Sequence, residues 1–430
     1  MATSTQLRER ILAGQWDERL RQLYGGEEKA LARQRQRYAA ALEQFESYYG
    51  PGRQVRIYSA PGRAELGGNH TDHQHGYGLA AAVTLDLIAI ASPSDDGYIR
   101  VKSRGFNKLD VIDLSEAEPQ QGESTHSASL IRGIAESFRA MGKTIGGFDA
   151  YTASDVLRGS GLSSSAAFEM GMAVILNDEF DCGLSAPELA RICQYAENIY
   201  FGKPSGLLDQ LTSAVGGVIF ADFADPEKPK VEKIHSDGLL PAGMTLCVTD
   251  TRGSHSELTG EFAAIRQEME AVARCLGKKV MGQVAERELW AALPAVRAAC
   301  GDRAALRAIH YFEENARTLS QKKALQAGDF PAFLRLIRAS GESSFALCQN
   351  VYCSSDTKHQ GLPVALAVSQ SILAGSGGAW RMQGGGFAGT IQAFVPERLL
   401  ERYHAAMEAV FGQGSCYLLR LREQGACRIG

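Results

Sequence analysis

The sequence lacks the features that mark membrane proteins and disulfide-rich proteins. Its longest apolar stretch, residues 79–91, is interrupted by a threonine and an aspartate and falls short of the roughly 18 residues that begin to suggest a membrane span. The nine cysteines are an odd number without a CxxC pair, which fits reduced thiols better than a disulfide framework or a zinc site. We therefore expect the cysteines to be reduced core residues.

A strong excess of charge is also absent. The chain has 45 Lys and Arg residues against 49 Asp and Glu residues, a formal net charge of -4. Nucleic acids and anionic membrane surfaces select a basic footprint, so we expect neither as a partner. The first twenty residues carry charges throughout and have no apolar signal-peptide core, which predicts a cytoplasmic protein.

The length and the residue patterns predict several structural units. A chain of 430 residues is long enough for two or three domains of roughly 150 residues each. Apolar residues at helical spacing, ended by Gly-Pro-Gly at residues 50–52, predict a helical N-terminal extension over residues 1–50. Strand and helix patterns follow on both sides of a Pro-rich, charged segment at residues 224–241, typical of a junction. We predict an α+β protein with domains over residues 51–235 and 236–430.

Two common nucleotide-binding motifs are missing. No GxxxxGK[ST] string occurs, which excludes a P-loop kinase. A formal GxGxxG match at Gly384, Gly386 and Gly389 is followed by β-branched and aromatic residues that favour a strand. A dinucleotide-binding turn must open a helix, so this match does not predict one.

A glycine and serine cluster at residues 159–167 (GSGLSSSAA) precedes a segment of helical character. Glycines let the backbone approach a ligand, N–H groups and the helix dipole attract phosphate, and hydroxyls can reach a cation. A serine N-cap after a flexible turn is the alternative. Two glycines before three serines favour a phosphate site. Its candidate residues are Gly159, Ser160, Gly161, Leu162, Ser163, Ser164 and Ser165.

A second cluster, residues 60–76, crowds polar side chains into a loop after a predicted strand. Asp72 can accept hydrogen bonds, Asn69 and His70 can donate or accept them, and Arg63 supplies a fixed positive charge. Such a loop suits a polyol ligand. The histidines and the aspartate of residues 70–75 could instead bind a metal, as in a metal hydrolase, or the segment could be a solvated turn.

The third cluster, residues 196–210, contains two candidate acidic groups. Asp209 follows Gly206 and two leucines, and a carboxylate in a partly apolar setting is a candidate base. Glu197 is a possible cation ligand. Taken alone, Asp209 is more often a helix or turn cap, so its interpretation depends on the other two clusters.

In this order, the three clusters resemble the motifs of the galactokinase branch of the GHMP kinases. The family's sugar signature, GRxNxxGEHTDYxxG, is similar to GRAELGGNHTDHQHG at residues 62–76. Its phosphate loop, PxGxGLSSSAA, is similar to residues 157–167, with Leu157 in place of Pro, and its GIMDQ string resembles residues 206–210. The family's GGGFGG motif resembles residues 384–389, so the likeness spans about residues 56–395.

The resemblance implies a two-domain GHMP kinase fold that binds ATP and a sugar in the cleft between its lobes. It assigns Asp209 the role of the base that accepts the proton of the sugar C1 hydroxyl, and it assigns Arg63 the role of keeping that carboxylate ionised. Residues 159–165 would cradle the triphosphate, while Ser165 and Glu197 would hold Mg²⁺. The implied sugar-binding positions are Asn69, His70, Asp72, Gly206 and Phe262.

Two departures from the family pattern bear on specificity. Asn69 stands where the family has Glu, which removes a carboxylate expected to face the sugar near C6. Phe262 stands where the family has Tyr, and a missing hydrogen bond is worth about 0.5 to 1.5 kcal/mol. The leading hypothesis is an ATP-dependent sugar 1-kinase acting on galactose. The alternatives are a kinase for a C6-modified galactose such as galacturonate and a non-catalytic sugar and ATP sensor.

Overall fold

The computed structural model describes residues 2–120, 122–156, 161–203, 205–234, 240–241, 243–253 and 258–430. The chain begins with three helices: α1 (Ser4–Leu12), α2 (Asp17–Tyr24) and α3 (Glu28–Tyr49). Thr3 and Gln6 form a capping box at α1, and Gly50 ends α3 with a φ of 91°, a conformation that favours glycine. The apolar stripe of α3 is buried, which agrees with the predicted helical extension.

The first half of the chain builds a large sheet that is covered by helices. Its strands are β1 (Arg56–Gly67), β2 (Tyr77–Ser94), β3 (Tyr98–Ser103), β4 (Leu109–Asp113), β5 (Gly147–Ser154), β6 (Val218–Asp222) and β7 (Lys230–Ile234). Its helices are α4 (Ser127–Ala140), α5 (Ser164–Glu179), α6 (Ala186–Tyr195) and α7 (Leu208–Val215). The strand order is β1-β2-β5-β3-β4, and β6 pairs with β2 and with β7. Residues on all sides of α5 are buried, as expected of a helix inside a core.

The second half builds a smaller antiparallel sheet from β8 (Met244–Asp250), β9 (Ala379–Gln383), β10 (Thr390–Pro396) and β11 (Cys416–Leu419). The strand order is β11-β8-β10-β9. Its helices are α8 (Thr259–Cys275), α9 (Glu286–Cys300), α10 (Asp302–Gln326), α11 (Phe330–Ser343), α12 (Gly361–Leu373) and α13 (Glu397–Phe411). The chain then returns to the first sheet, where β12 (Cys427–Arg428) pairs with β1.

These elements confirm the predicted α+β class with two sheets and a helical N-terminal region. The glycine-rich segment at residues 384–389 leads into strand β10, as its following residues predicted. The proposed boundary at residue 235 lies outside the described residues and stays a prediction. Of the helices that the structure describes, none combines the length and the apolar character needed to cross a membrane.

Candidate active site

A buried arginine and a partly exposed aspartate form an ion pair at the centre of the candidate site. Strand β1 supplies Arg63, and the first turn of α7 supplies Asp209. Arg63 Nε donates to Asp209 Oδ1 at 2.7 Å, and Ser163 Oγ donates to Asp209 Oδ2 at 2.5 Å. The Asp209 side chain is nevertheless 37% exposed. The structure thus brings together residues of all three sequence clusters and leaves the carboxylate open to a ligand.

The surroundings of Asp209 keep it ionised. Burial raises the pKa of Asp209, but the charge of Arg63 and the hydrogen bonds from Arg63 and Ser163 outweigh it and hold that pKa below its ordinary value. Arg63 also donates to the Gly161 carbonyl oxygen, so the guanidinium is fixed on two sides. The carboxylate can accept a proton at neutral pH.

The serine cluster forms the start of helix α5. Gly161 has a φ of 64° and Ser163 a φ of 59°, so the chain turns sharply before Ser164 and Ser165 enter the helix. The free N–H groups and the dipole at a helix start attract anions. The predicted residues Gly159 and Ser160 lie outside the described part of the chain. The phosphate-binding role of the loop stays a prediction.

Ser165 and Glu197 meet behind this loop. Ser165 Oγ donates to Glu197 Oε1 at 3.0 Å, and Gln210 Nε2 donates to Glu197 Oε2 and to Glu169 Oε2 at 3.0 Å each. Glu169 Oε1 and Gln210 Oε1 are buried without a hydrogen-bond partner among the described residues. A hydroxyl and a carboxylate oxygen this close together are the ligand types that Mg²⁺ takes, so the pair fits a divalent cation.

A cavity of about 320 Å³ opens beside the start of α5. Its lining is mixed, because Ser164, Ser165 and six further polar residues share it with apolar side chains; the six are Ser103, Arg104, Thr125, Ser127, Thr152 and Ser154. A flat ring system with polar edges could occupy such a space beside the predicted phosphate loop. The main apolar lining residues are Leu87, Phe106, Leu130, Val156, Phe168 and Phe201.

The second sequence cluster, which resembles the family's sugar signature, forms a tight turn between β1 and β2. This sugar-like turn comprises residues 68–76. Asp72 Oδ1 accepts a hydrogen bond from the His73 backbone N–H at 2.8 Å, and a methyl group at Gly206 would lie 1.6 Å from Asp72 Oδ2. Only glycine therefore fits beside this carboxylate. His70 Nε2 is 2.8 Å from the Gly385 carbonyl oxygen, and burial lowers the pKa of His70 to about 4. His70 is neutral at pH 7 as a result.

The other histidines of this turn do not converge on a common point with His70. The rings of His70 and His73 are 5.8 Å apart and tilted. Within the part of the chain that the structure describes, no three His, Cys, Asp or Glu side chains are grouped as a metal site.

Asn69 lies beneath this turn in a buried hydrogen-bond network. Asn69 Nδ2 donates to Glu65 Oε1 at 2.9 Å and to the Gly384 carbonyl oxygen at 2.8 Å. Asn69 Oδ1 accepts from Asn350 Nδ2 at 2.8 Å, while Arg381 Nη2 donates to Glu65 Oε1 at 3.0 Å. These contacts indicate a positioning role for Asn69, and its predicted contact with substrate stays a prediction.

Phe262, in the first turn of α8, packs its ring against the glycine-rich segment at residues 384–389. Its ring packs edge-to-face on Phe387, with centroids 5.3 Å apart at 87°. A methyl group at Gly385 would lie 2.6 Å from Phe262 Cε1, so the ring closes tightly on the glycine-rich segment. The structure thus brings Phe262, His70 and this segment together, although they are far apart in sequence.

Several residues of the site were missed in the sequence. Glu65 stands where the quoted signature has Asn, so residues 65 and 69 have exchanged their side-chain types, and the signature itself could have revealed this. Glu314 of α10 accepts hydrogen bonds from the Gly68 N–H at 3.1 Å and from the Ser340 hydroxyl at 2.6 Å. Glu314 and Arg381 belong to no motif, so no signal in the sequence indicated them.

Two family models match the chain. The model of the GHMP kinases N terminal domain matches residues 129–217, and that of the galactokinase galactose-binding signature matches residues 43–93. A galactokinase from Streptomyces coelicolor is 32% identical over 371 residues, which are 86% of this chain and 92% of that protein. The chain belongs to the galactokinase family.

Further comparisons agree with this family. A galactokinase from Actinobacillus pleuropneumoniae is 30% identical over 84% of this chain and 90% of that protein. The structure of Lactococcus lactis galactokinase complexed with galactose matches with a TM-score of 0.77 at 24% identity, covering 90% of this chain and 98% of that chain. Methanococcus jannaschii mevalonate kinase matches with a TM-score of 0.60 at 14% identity, covering 86% and 98%. These two structures support the fold alone.

Membership of the galactokinase family confirms the predicted GHMP kinase fold and the predicted enzyme class, a sugar kinase phosphotransferase. A kinase of this family implies ATP as the co-substrate. The individual roles of the site residues stay predictions.

Proposed function

We propose that the chain is an ATP-dependent sugar 1-kinase that transfers the γ-phosphoryl group to the C1 hydroxyl of galactose. The observation that carries this proposal is the position of Asp209. Its ionised, partly exposed carboxylate is bound by Arg63 and by Ser163 of the serine loop. Gly206, three residues before it, contacts Asp72 of the sugar-like turn. A base between a phosphate loop and a polyol-binding turn suits phosphoryl transfer.

In the proposed reaction, Asp209 accepts the proton of the C1 hydroxyl. The hydroxyl oxygen forms a bond to the γ-phosphorus while the bond from that phosphorus to the leaving ADP oxygen breaks. Because Arg63 lowers the pKa of Asp209, the carboxylate is a weak base. We therefore expect the proton to transfer late, after most of the new P–O bond has formed, as a loose transition state allows.

The start of α5 and the neighbouring carboxylates would hold the nucleotide. The N–H groups and hydroxyls of residues 161–165 would bind phosphate oxygens, and the cavity beside Ser164, which has both apolar and polar lining residues, would take the adenine ring. Ser165 and Glu197 would hold Mg²⁺, which neutralises charge on the transferring group. The 3.0 Å separation of Ser165 Oγ and Glu197 Oε1 supports this assignment.

The sugar would lie against Asp72, His70 and the backbone of Gly206. Asp72 can accept hydrogen bonds from sugar hydroxyls, and neutral His70 can hold one proton on its ring. A second candidate substrate is a C6-modified galactose such as galacturonate. It is favoured by one observation: residue 69 is a neutral amide, and the neighbouring carboxylate of Glu65 is paired with Arg381.

The test is ATP consumption with Mg²⁺ against galactose, galacturonate, N-acetylgalactosamine, L-arabinose and glucose. Asp209→Asn is compared with Asp302→Asn, which changes an exposed aspartate in the first turn of α10. We expect galactose turnover in the wild type and in Asp302→Asn, and a loss of about 100-fold or more in Asp209→Asn.

Each other outcome selects a different function. Turnover of galacturonate without galactose would identify the second candidate. Binding of ATP and galactose without turnover at saturating Mg²⁺ would indicate a sensor, and full activity of Asp209→Asn would remove Asp209 as the base.

A further inference from the structure

Lys203 is a cation at the candidate site that has no role in the proposed reaction. Its Nζ lies 2.7 Å from Glu197 Oε1, the same oxygen that accepts Ser165 Oγ. The Lys203 side chain is 56% exposed and that of Glu197 only 2%. The ammonium group therefore covers, on the solvent side, the oxygen pair that fits a divalent cation.

The backbone fixes Lys203 in this position. The turn at Ala196–Phe201 is a π-helix, and Gly202 ends it with a φ of 83°. The N–H groups of Gly202 and Lys203 both donate to the carbonyl oxygen of Glu197. This reversal folds Lys203 back over Glu197, so the contact between their side chains follows from the local chain path. π-turns of this kind are frequent at functional sites.

The charge of Lys203 acts on the proposed base as well, because it helps to lower the pKa of Asp209. The ammonium thus lies 2.7 Å from the proposed metal ligand and in the field of the proposed base, which is where the reacting phosphate would pass.

We propose that Lys203 is a further catalytic residue, whose ammonium leaves Glu197 when the metal–nucleotide complex binds and then donates hydrogen bonds to the γ-phosphate. This inference rests on the proposed function, since it takes the triphosphate at residues 161–165 and the metal at Ser165 and Glu197. A divalent cation on Glu197 Oε1 would repel an ammonium 2.7 Å from that oxygen, and the arriving phosphate offers it a new anionic partner. No bond to Lys203 is made or broken during the transfer.

The test measures binding of the γ-phosphate separately from turnover. Calorimetry with Mg²⁺ compares the affinity for β,γ-imido-ATP with that for ADP in the wild type, Lys203→Met and Lys203→Arg. Lys233→Met is the matched control. Lys233 lies on strand β7 and forms an ion pair with Glu423, and neither residue belongs to the candidate site. We expect Lys203→Met to weaken imido-ATP binding about tenfold and ADP binding less than twofold, with Lys203→Arg retaining most of the preference.

A steady-state assay provides the second readout. For the sugar that turns over, Lys203→Met should raise the ATP KM, lower kcat about 10- to 100-fold and leave the sugar KM unchanged, as expected for loss of a γ-phosphate contact that forms on binding and strengthens in the transition state. Thermal unfolding checks that the variants fold.

The outcomes separate this proposal from the proposed function. Equal weakening of both nucleotides, or no weakening of either, overturns the role of Lys203 even when the wild type phosphorylates galactose. A selective loss of imido-ATP binding in a protein that phosphorylates no sugar supports Lys203 and overturns the proposed function. A wild type that binds neither nucleotide overturns both.

Discussion

Two aspartates of the candidate active site have pKa shifts of opposite sign. The pKa of Asp209 lies below its ordinary value because Arg63 outweighs the effect of burial. Burial, with the nearby charges of Asp209 and Glu65, raises the pKa of Asp72 to about 6. At neutral pH both are ionised, but the charge of Asp72 lowers the stability of the folded protein because its surroundings favour the protonated form. Such differences in environment let neighbouring carboxylates take different roles.

Asp72→Asn should therefore stabilise the protein while weakening sugar binding. The folded pKa of about 6 exceeds the ordinary value of 3.8, so the folded state binds this proton more tightly and its stability falls as pH rises from about 4 to about 6. We expect Asp72→Asn to raise Tm at neutral pH and to have little effect near pH 4. Thermal unfolding across this pH range checks it.

Glu314→Gln is the matched contrast for this experiment. Arg317 is the main group that outweighs burial and lowers the pKa of Glu314 to about 2, so its charge contributes stability at neutral pH that is lost as pH falls from about 4.5 towards about 2. This variant should lower Tm most at neutral pH. An Asp72→Asn effect of equal size at both ends of the range would contradict the assigned shift.

At the scale of elements, two loops hold the lobes together at the sugar-like turn. The turn between β1 and β2 donates a backbone hydrogen bond to Glu314 of α10, and it contacts the segment between β9 and β10 through Asn69 and His70. The Glu65–Asn69 pair lies at this joint. The family signature has the amide at position 65 and the carboxylate at position 69, and this chain has them the other way round. The two side chains are hydrogen-bonded at 2.9 Å.

Substitutions at positions 65 and 69 should have non-additive effects on the free energy of unfolding. Glu65→Asn leaves the buried Arg381 without its carboxylate, which costs about 3 to 5 kcal/mol, and Asn69→Glu places a second carboxylate beside Glu65. The double variant restores one amide and one carboxylate, so it should be more stable than the sum of the single losses, by about 1 to 3 kcal/mol. Urea denaturation of the four proteins measures this coupling, and additive losses would show that the pair is independent.

Several of the candidate residues lie in short strings of the sequence, and the structure places them in contact, while their catalytic roles stay predictions. Arg63, Ser163 and Asp209 lie in three separate motifs, and the structure joins them within hydrogen-bond distance. The supporting groups could not be predicted in this way. Arg381 and Glu314 reach the site only because β9 and α10 pack against the sugar-like turn, a tertiary contact with no local pattern. Lys203 depends on a π-turn, which helical periodicity cannot distinguish from an ordinary helix end.

At the scale of the whole molecule, distant parts of the chain meet at Asp86 in the middle of β2. Arg37 of α3 donates to Asp86 at 2.6 Å, Arg422 near the C-terminus at 3.1 Å, and Tyr24 of α2 at 2.5 Å. Asp86 is fully buried, and although burial raises its pKa, Arg37 and Arg422 hold that pKa below its ordinary value. The N-terminal helices are therefore part of the first lobe.

Two arginines one turn apart on α3 test how far the fold depends on this contact. The Arg37 side chain is 6% exposed and pairs with Asp86, whereas that of Arg33 is 63% exposed and pairs with Asp155. Breaking a buried pair costs about 3 to 5 kcal/mol, and a surface pair contributes about 0 to 1 kcal/mol. Arg37→Met should lower the free energy of unfolding several-fold more than Arg33→Met in urea titrations. Similar losses would mean that Arg422 and Tyr24 suffice to hold Asp86, and that the Arg37 ion pair is not needed to attach α3 to the first lobe.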